Sequence, residues 1–301
     1  MLDFRINTFL EVCRTLNYTK AGENLGITQP GVSQHIRYLE NYYGHKLFQN
    51  KGKYITLTAA GETLYHAAST MLHDEFYLRR KLDRVTQKEK KLILGVTMTI
   101  GEYVIAPRLA EYLRKNPKTS IHVIVSNTQE LLKKISNNEI DFAIVEGYFP
   151  KTEYDCRKYA EIPFIAVSSA KHDFSKQLTI NRSIKKKTLA MEDLFGERLI
   201  IREQGSGTRE IFEKALEEKN YAVSDFANLV EINSMNAIKM LLQEDVGIAF
   251  LYKSAVEKEL KEGTLKEIKI KDFQHSHDFT FIWNKGSIYA DDYNELFEEL
   301  K

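Results

Sequence analysis

A long segment free of helix-breaking residues divides this chain of 301 residues. Between Ala59 and Lys88 there is no proline, and no glycine follows Gly61. Apolar residues recur there in steps of three and four, with Asp74 as the polar interruption. The positions of this repeat are Leu57, Ala60, Leu64, Ala67, Met71, Leu78 and Val85. Such spacing is typical of a long helix that pairs with another helix.

Two arrangements fit this apolar stripe. The helix can pair with the same helix of a second copy, or it can lie on the core of its own domain. We favour a homodimer, because no nearby segment is free to cover the stripe. The charged run at residues 88–91 then predicts a linker to the rest of the chain.

The 58 residues before this helix predict three short helices and a hairpin. Apolar spacing and end signals indicate helices over residues 3–16, 19–25 and 28–43, with Thr19 as the N-cap of the second. Residues 47–58 then carry two β-prone runs around a basic tip. A helix-turn-helix followed by such a hairpin is a winged helix-turn-helix.

The third predicted helix has an apolar face and, near its N-terminus, a polar face suited to DNA. Pro30 is tolerated in the first turn because a backbone N–H there has no acceptor within the helix. Gln and Ser side chains can bind base edges, and a helix N-terminus favours phosphate. A merely solvated face is the alternative. The predicted DNA-binding residues are Thr28, Gln29, Pro30, Ser33, Gln34 and Arg37 on the helix and Lys51 and Lys53 on the hairpin.

The charge distribution agrees with a nucleic-acid partner at one end of the chain. Residues 1–88 hold 12 Lys and Arg against 8 Asp and Glu, whereas the remaining residues hold 31 against 34. A basic N-terminal part on a slightly acidic body is typical of proteins that bind nucleic acid through one domain.

Beyond the linker, segments typical of buried strands alternate with helical segments in two successive sets, which predicts two α/β lobes. Two of these strands end in hydroxyl-rich turns just before a helix, at Thr97–Thr99 and at Gly205–Thr208. Ligands of open α/β sheets bind at such strand ends, and helix N-termini favour anions. A capping role for Thr99 and Thr208 is the alternative interpretation.

Other functional classes find little support in the sequence. There is no GxSxG, P-loop, HExxH or paired-cysteine motif, so we predict neither a catalytic nor a metal site. His275 and His277 form an HxH pair that we place in a polar loop. The two cysteines, Cys13 and Cys156, predict no disulfide framework. Without a signal-peptide pattern or an apolar run of about 18 residues, a cytoplasmic location with no membrane partner is expected.

Several residues of the N-terminal part also carry a family resemblance. They are Phe9 and Val12, Ala21 and Leu25, the run TQPGVSQHIRYLE from Thr28, then Gly44, Leu47, Phe48 and LTAAGE. Together they resemble the winged helix-turn-helix of LysR-type transcriptional regulators. The family often has a basic residue where Gln34 stands and an arginine where Asn50 stands, and alanine is common at Gly22 and Gly31. The resemblance therefore implies weaker phosphate and minor-groove contacts in this chain, with Arg37, Lys51 and Lys53 left to supply the charge.

The resemblance extends over the whole chain and implies an effector site. In LysR-type regulators, a cleft between two lobes like those of periplasmic binding proteins holds a small, usually anionic effector. The matching positions are Thr97, Thr99, Ile100, Asn127 and Thr128 in lobe one and Gly205, Ser206, Gly207 and Thr208 in lobe two. The RExGSGTR form is similar to regulators of sulfur assimilation and carbon fixation, which implies a compact oxyanion or a small carboxylate and no cofactor. A sensor domain that binds no metabolite, and acts through a protein partner or expression level, is the alternative.

The expected architecture is an all-α winged helix-turn-helix followed by a two-lobed α/β domain. We expect the DNA-binding domain at 1–58, a dimerising helix at 59–89 and the effector domain at 90–301. Lobe one comprises 91–161 and 267–301, and lobe two comprises 162–266. The expected partners are double-stranded DNA at an interrupted inverted repeat, a second copy through the linker helix, and, by family resemblance, a tetramer of two dimers and RNA polymerase.

Overall fold

The computed structural model describes residues 3–51, 54–87, 90–174, 189–271 and 273–301. The chain divides into two compact units, Met1–Lys88 with Asn284–Asp291, and Glu89–Trp283 with Asp292–Lys301. The elements of the first unit are α1 (Phe4–Thr15), α2 (Tyr18–Leu25), α3 (Gln29–Tyr43), β1 (Phe48–Lys51), β2 (Tyr54–Leu57) and α4 (Ala59–Gln87). The predicted winged helix-turn-helix is therefore confirmed.

The ends of α1 and α2 depart from the sequence prediction. The predicted N-cap Thr19 is wrong, because α2 begins at Tyr18 and the Asn17 side chain accepts a hydrogen bond from the Lys20 backbone N–H at 3.0 Å. Leu16, the last residue of the first predicted helix, is exposed because it ends α1 in a left-handed conformation. Gly26 ends α2 in the same conformation.

The core of the first unit lies between α1, α2, α3, the hairpin and the N-terminal part of α4. Its buried members are Ile6, Phe9, Val12, Ala21, Val32, Ile36, Leu39, Leu47, Phe48 and Ala68. The buried carboxylate of Glu40 accepts hydrogen bonds from the Leu47 backbone N–H at 3.0 Å and from Lys46 Nζ at 2.7 Å. These bonds attach the start of the hairpin to α3, so the hairpin is held beside the polar face of that helix.

The long helix α4 lies partly on its own unit. Asp74, which interrupts the apolar stripe, is buried and accepts hydrogen bonds from Ser287 Oγ and from the Ile288 backbone N–H. The Tyr77 and Tyr289 rings pack with their centroids 4.7 Å apart. The face of α4 that carries Asp74 and Tyr77 therefore packs on its own unit, which is the second of the two arrangements that fit the sequence.

Another face of α4 remains exposed. Met71 is 55% exposed, Leu78 41% and Leu82 57%. Two of these, Met71 and Leu78, belong to the predicted stripe, so this part of the stripe is available to a second chain.

The second unit is built on one mixed sheet. Its strands are β3 (Lys90–Thr97), β4 (Thr119–Ser126), β5 (Phe142–Val145), β6 (Tyr154–Ser169), β7 (Arg198–Ile201), β8 (Asn228–Glu231), β9 (Ile248–Tyr252), β10 (Leu265–Ile268) and β11 (His275–Asn284). Their order is β4-β3-β5-β11-β6-β9-β7-β8, and β10 pairs with β6. Lys90 and Lys91, which the sequence assigned to a linker, already pair with β4.

Helices lie between the strands of this sheet, and one more follows its last strand. They are α5 (Met98–Tyr103), α6 (Ile105–Lys115), α7 (Thr128–Ser136), α8 (Gly207–Glu217), α9 (Met235–Gln243), α10 (Lys253–Glu262) and α11 (Ala290–Leu300). The parallel strands β3, β4 and β5 form one lobe, and β7, β8 and β9 form the other.

The strand β6 passes from one lobe to the other. It runs for 16 residues, and its C-terminal part pairs antiparallel with β9 and β10. The predicted boundary at 161/162 falls inside this strand. Because Leu265–Ile268 pairs with β6 in lobe two, the chain returns to lobe one later than residue 267, at which the sequence placed the return.

Candidate functional sites

The polar residues at the start of α3 form an exposed surface. Thr28 caps the helix by accepting a hydrogen bond from the Gly31 backbone N–H at 3.3 Å. Gln29 Nε2 donates to Ser33 Oγ at 3.0 Å, which orients the glutamine along the helix. The exposed members of the predicted set are Thr28, Gln29, Pro30, Gln34 and Arg37, and Ser33 is half-buried.

His35 differs from its neighbours on α3. It is half-buried, whereas Gln34 and Arg37 beside it are exposed. Its Nδ1 lies 2.9 Å from Thr8 Oγ1, and its ring meets the Phe4 ring edge-on at 5.0 Å. This side chain attaches α3 to α1, so its role is structural.

The hairpin lies beside the polar face of α3. Its strands pair antiparallel, with Phe48 opposite Leu57 and Lys51 opposite Tyr54. An open groove between α3 and the hairpin is lined by Tyr18, Ser33, Ile36, Arg37, Glu40, Lys46, Phe48, Asn50 and Ile55. The predicted Lys53 lies outside the described residues, and of Lys51 the structure describes the backbone. The geometry thus brings the predicted helix residues together on a surface flanked by the hairpin.

In the second unit, the strand ends of the two lobes meet at Glu146. Thr208 Oγ1, at the start of α8, donates to Glu146 Oε1 at 2.7 Å. Thr128 Oγ1, at the start of α7, donates to the Glu146 carbonyl at 2.6 Å. All three residues are at most 2% exposed. Two of the predicted effector residues, Thr128 of lobe one and Thr208 of lobe two, therefore meet in one buried cleft.

The two lobes approach each other closely at Gly207. A Cβ atom on this residue would lie 2.4 Å from the Glu146 carbonyl oxygen and 2.8 Å from Thr128 Oγ1. Gly205 has a φ of 83° and lies against the Gln129 side chain. These contacts require glycine at residue 207, because any side chain would separate the strand ends.

Several buried hydroxyls in this cleft have no hydrogen-bond partner of good geometry among the described residues. They belong to Thr97, Thr99, Ser206 and Tyr252. Ser206 is the N-cap residue of α8, yet its side chain makes no capping bond. Unpaired polar groups inside a protein are uncommon and costly, so such a cluster indicates a place where a ligand binds.

The capping interpretation of the two threonines is not supported. Thr97 and Ser206, and not Thr99 and Thr208, occupy the N-cap positions of α5 and α8. Thr208 donates to the carboxyl group of Glu146 instead.

Two other predicted effector residues have structural contacts. Asn127 caps α7 by accepting from the Glu130 backbone N–H at 2.9 Å, and Ile100 is fully buried in lobe one.

Three residues of the cleft escaped the sequence analysis. Glu146 follows β5, Arg202 follows β7, and Tyr252 ends β9. All are at most 2% exposed, and Arg202 Nη1 makes no hydrogen bond within the described ranges. The sequence does contain a signal for these three residues. Each is a polar residue that directly follows a run of apolar residues, so each lies at a strand end, where ligands of such sheets bind.

The electrostatics of the cleft centre on Glu146. Burial raises the pKa of its carboxyl group above the ordinary value, although the hydroxyls of Thr208 and Thr99 and the charge of Arg202 lower it. Burial, and then the Glu146 carboxylate, hold the pKa of Tyr252 well above that of a free tyrosine. Both shifts favour the neutral forms of these side chains.

The arginines near the cleft already form ion pairs, although Arg202 Nη1 makes no hydrogen bond within the described ranges. Arg202 donates from Nε and Nη2 to the two carboxylate oxygens of Glu203, at 2.8 and 3.0 Å. Arg209 donates to Glu213, to Glu231 and to the Arg202 carbonyl. Arg209 therefore attaches α8 to the ends of β7 and β8 and leaves the cleft to other groups.

The remaining candidates have other surroundings. The predicted loop around His275 and His277 is wrong, because both lie in β11, where His277 Nε2 is 3.4 Å from the Gly147 carbonyl. Cys13 and Cys156 are free thiols, and burial raises the pKa of Cys13 to about 12.

The described ranges hold no cluster of three or more metal-ligating side chains. None of the helices there is long and apolar enough to cross a membrane.

Comparison with known proteins places both units in related families. The LysR substrate binding domain matches residues 86–301, and the bacterial regulatory helix-turn-helix protein, lysR family, matches residues 5–62. A probable RuBisCO transcriptional regulator of Thalassiosira pseudonana is 27% identical over 300 residues, covering 98% of this chain and 95% of that one. The HTH-type transcriptional regulator CysL of Bacillus subtilis is 26% identical over 280 residues, covering 92% and 89%.

A solved structure supports the fold of the second unit. The Synechocystis CcmR regulatory domain in complex with 2-PG is similar with a TM-score of 0.60 and 22% identity, covering 70% of this chain and 96% of that one.

Proposed function

Because the chain belongs to the LysR family of bacterial transcriptional regulators, we propose that it reads DNA through α3 and senses a small molecule in the cleft around Glu146. The relatives described above are named as transcriptional regulators. A regulator of this kind acts on the chromosome, so its place is the cytoplasm.

The DNA site comprises the start of α3 and the hairpin. Gln29 and Gln34 present side-chain amides that can bind adenine, and Ser33 can bind various base edges. Thr28 and the helix N-terminus face phosphate, while Arg37 with Lys51 and Lys53 supplies charge. Pro30 lies in the first turn of the helix, and because proline has no backbone N–H, it leaves no donor there without an acceptor. The exposure of this face supports the assignment.

The chain acts as a homodimer at least. The exposed apolar face of α4, with Met71, Leu78 and Leu82, is a suitable pairing surface. Two copies of α3 related by a two-fold axis would bind an interrupted inverted repeat. We also propose that two dimers assemble into a tetramer and that the regulator contacts RNA polymerase.

The effector binds at the strand ends of both lobes. The observation that carries this assignment is the group of buried hydroxyls at Thr97, Thr99 and Ser206 that have no good partner among the described residues. Together with the α8 N-terminus, these donors suit the acid group of a small carboxylate or oxyanion. The 2-PG bound by the CcmR regulatory domain is consistent with a small acidic effector for this fold.

A thermal-shift screen of small oxyanions and carboxylates tests the effector site. A ligand that binds the folded chain raises its melting temperature with concentration by mass action. The double variant Thr99→Val, Thr208→Val should lose this response and keep DNA binding, because valine has the shape of threonine without its hydroxyl. An unchanged shift in the variant would place the effector elsewhere.

The screen also decides between two kinds of sensor. If none of the acids stabilises the wild-type chain while operator DNA is still bound, the second unit acts through a protein partner or through expression level.

A further inference from the structure

The groove between α3 and the hairpin continues the surface that is proposed to read DNA. Ser33 and Arg37 belong to the predicted DNA-binding set, and both also line this groove. Whatever lies in the groove therefore lies beside the bases that α3 contacts.

The hairpin supplies the other side of the groove. Asn50 and Ile55 stand opposite each other in the pairing of β1 with β2, and both line the groove. Phe48 shares the face of Asn50, because side chains two residues apart point to the same side of a strand. Phe48 is buried and Asn50 is exposed, so the groove combines an apolar base with a polar rim. A sugar–phosphate strand has the matching pattern, with apolar deoxyribose carbons beside charged phosphates.

Lys46 brings a second positive charge to the groove, in addition to Arg37. Its Nζ donates to Glu40 Oε2 at 2.7 Å, and Glu40 Oε1 accepts from the Leu47 backbone N–H at 3.0 Å. Glu40 is buried and is bonded through both oxygens, whereas the Lys46 side chain is 77% exposed. An ammonium group has three N–H donors, so Lys46 keeps two of them for a ligand in the groove.

Tyr18 adds an uncharged donor to the same groove. Its ring packs against the Phe48 ring with the centroids 5.9 Å apart. Burial, and then the Glu40 carboxylate, raise the pKa of Tyr18 to about 12, so its hydroxyl stays protonated at neutral pH. A protonated hydroxyl can donate to a phosphate oxygen without adding charge to the interface.

We propose that this groove holds one sugar–phosphate strand of the duplex, and that Lys46 and Tyr18 donate to its phosphates. The inference rests on the proposed function, because α3 must first enter the major groove. A backbone strand separates each major groove from the next minor groove, so a hairpin beside α3 reaches the minor groove only across that strand. Contacts to phosphate fix the register of a protein on DNA and carry no sequence information, so Lys46 and Tyr18 anchor α3 without reading bases.

A small anion fits this groove less well than a strand of DNA does. Sites for small molecules enclose most of their ligand, whereas Arg37, Lys46 and Asn50 are all exposed. A DNA strand needs no such enclosure, because the release of its counterions supplies much of the affinity.

The salt dependence of DNA affinity tests the charged contact on the full chain. The probes are a duplex that the wild-type chain selects from a random-sequence pool, and a scrambled duplex of the same length. Lys46→Gln should weaken binding to both duplexes by roughly tenfold. It should also reduce the slope of log affinity against log salt by about 0.9 for each Lys46 that contacts DNA. Lys46→Arg should retain the wild-type slope, because it keeps the positive charge.

Arg14→Gln is the matched control for Lys46→Gln. Arg14 Nη1 lies 3.1 Å from Glu11 Oε2, so here too a mostly exposed cation pairs with a carboxylate that is almost buried. Arg14 is not part of the lining of the groove, so this variant should keep the wild-type slope.

Tyr18→Phe tests the groove without a change of charge. Phenylalanine keeps the packing on Phe48 and leaves the ion pair of Lys46 with Glu40 in place, so the variant should fold. Its affinity should fall roughly 3- to 10-fold at every salt concentration, with an unchanged slope, because the lost hydroxyl carries no charge.

The results separate this proposal from the proposed function. An unchanged slope in Lys46→Gln, or an equal reduction in Arg14→Gln, would overturn the proposal, because the cation of the groove would then have no phosphate contact of its own. Unchanged affinity in Tyr18→Phe would place the strand outside the groove. All three results leave DNA reading by α3 in place, whereas a wild-type chain that selects no duplex contradicts the proposed function itself.

Discussion

The helices α3 and α8 both present N-termini as candidate binding elements, and the two N-termini are built in opposite ways. Thr28 caps α3, and the first turn of that helix is exposed. Ser206 precedes α8 without capping it, and the first turn of that helix is buried. On α3 the polar groups bond to one another, whereas around α8 several lack good partners in the described chain.

We relate this difference to the size of the two proposed ligands. DNA is too large to be enclosed, so its binding surface must be stable in water on its own, with hydrogen bonds within the helix and charged side chains around it. A small molecule can be enclosed, so its site can keep buried groups that are satisfied only when the ligand is bound. Substitutions on α3 should therefore change binding alone, and substitutions at α8 should change binding and stability together.

The largest effect is expected from Gly207→Ala. The new Cβ would lie 2.4 Å from the Glu146 carbonyl, which is backbone and cannot rotate away. Overpacking of this kind costs about 1–3 kcal/mol of unfolding free energy, and here it also separates the lobes and weakens effector binding. Denaturant unfolding of the second unit measures the loss. Gly196→Ala is the matched control, because a Cβ there has no neighbour within 4 Å. Equal stability of the two variants would show that the close approach of Gly207 to the Glu146 carbonyl does not contribute to the stability of the second unit.

Gln29→Ala should act on DNA binding with little change in stability. The Gln29 side chain is exposed and bonds to Ser33 alone among the contacts above, so the fold loses little. Loss of a base contact costs about 1–3 kcal/mol at the specific site. Fluorescence anisotropy with operator and scrambled DNA measures both affinities. Arg37→Ala is the contrasting control, because loss of a phosphate contact weakens both affinities alike. If Gln29→Ala lowers the affinity for operator and scrambled DNA by the same factor, Gln29 does not read a base.

How far the sequence predicts the molecule differs between these two regions. The surface of α3 follows from local signals, because Thr28, Gly26 and the apolar spacing of Val32 and Ile36 define the helix and its exposed face. The cleft depends on tertiary contacts. The sequence predicts Thr208 as an effector residue, with capping as the alternative. No local signal shows that packing of the two lobes places Glu146, 62 residues away in the chain, within reach of its hydroxyl.

The same limit explains two further misses. Local polarity placed His277 in a loop, whereas pairing with the rest of the sheet makes it part of a strand. Spacing alone made Asp74 an interruption in a dimer seam, whereas its carboxylate is held by residues 287 and 288 from the far end of the sequence. Contacts across such separations leave no periodic signal.

The smallest effect is expected from Gly31→Ala, which makes on α3 the change that Gly207→Ala makes on α8. The new Cβ would lie 3.4 Å from Thr28 Oγ1, an ordinary contact, so nothing has to move. Replacing a helical glycine by alanine without strain stabilises a protein by about 0.4–1 kcal/mol, because the unfolded chain loses conformational freedom. Thermal unfolding of the first unit should show this gain, and affinity for operator DNA should stay within about tenfold of wild type, since an exposed first turn has room for one methyl group. A gain in stability with a large loss of DNA affinity would instead show that the phosphate backbone approaches α3 as closely as Glu146 approaches Gly207.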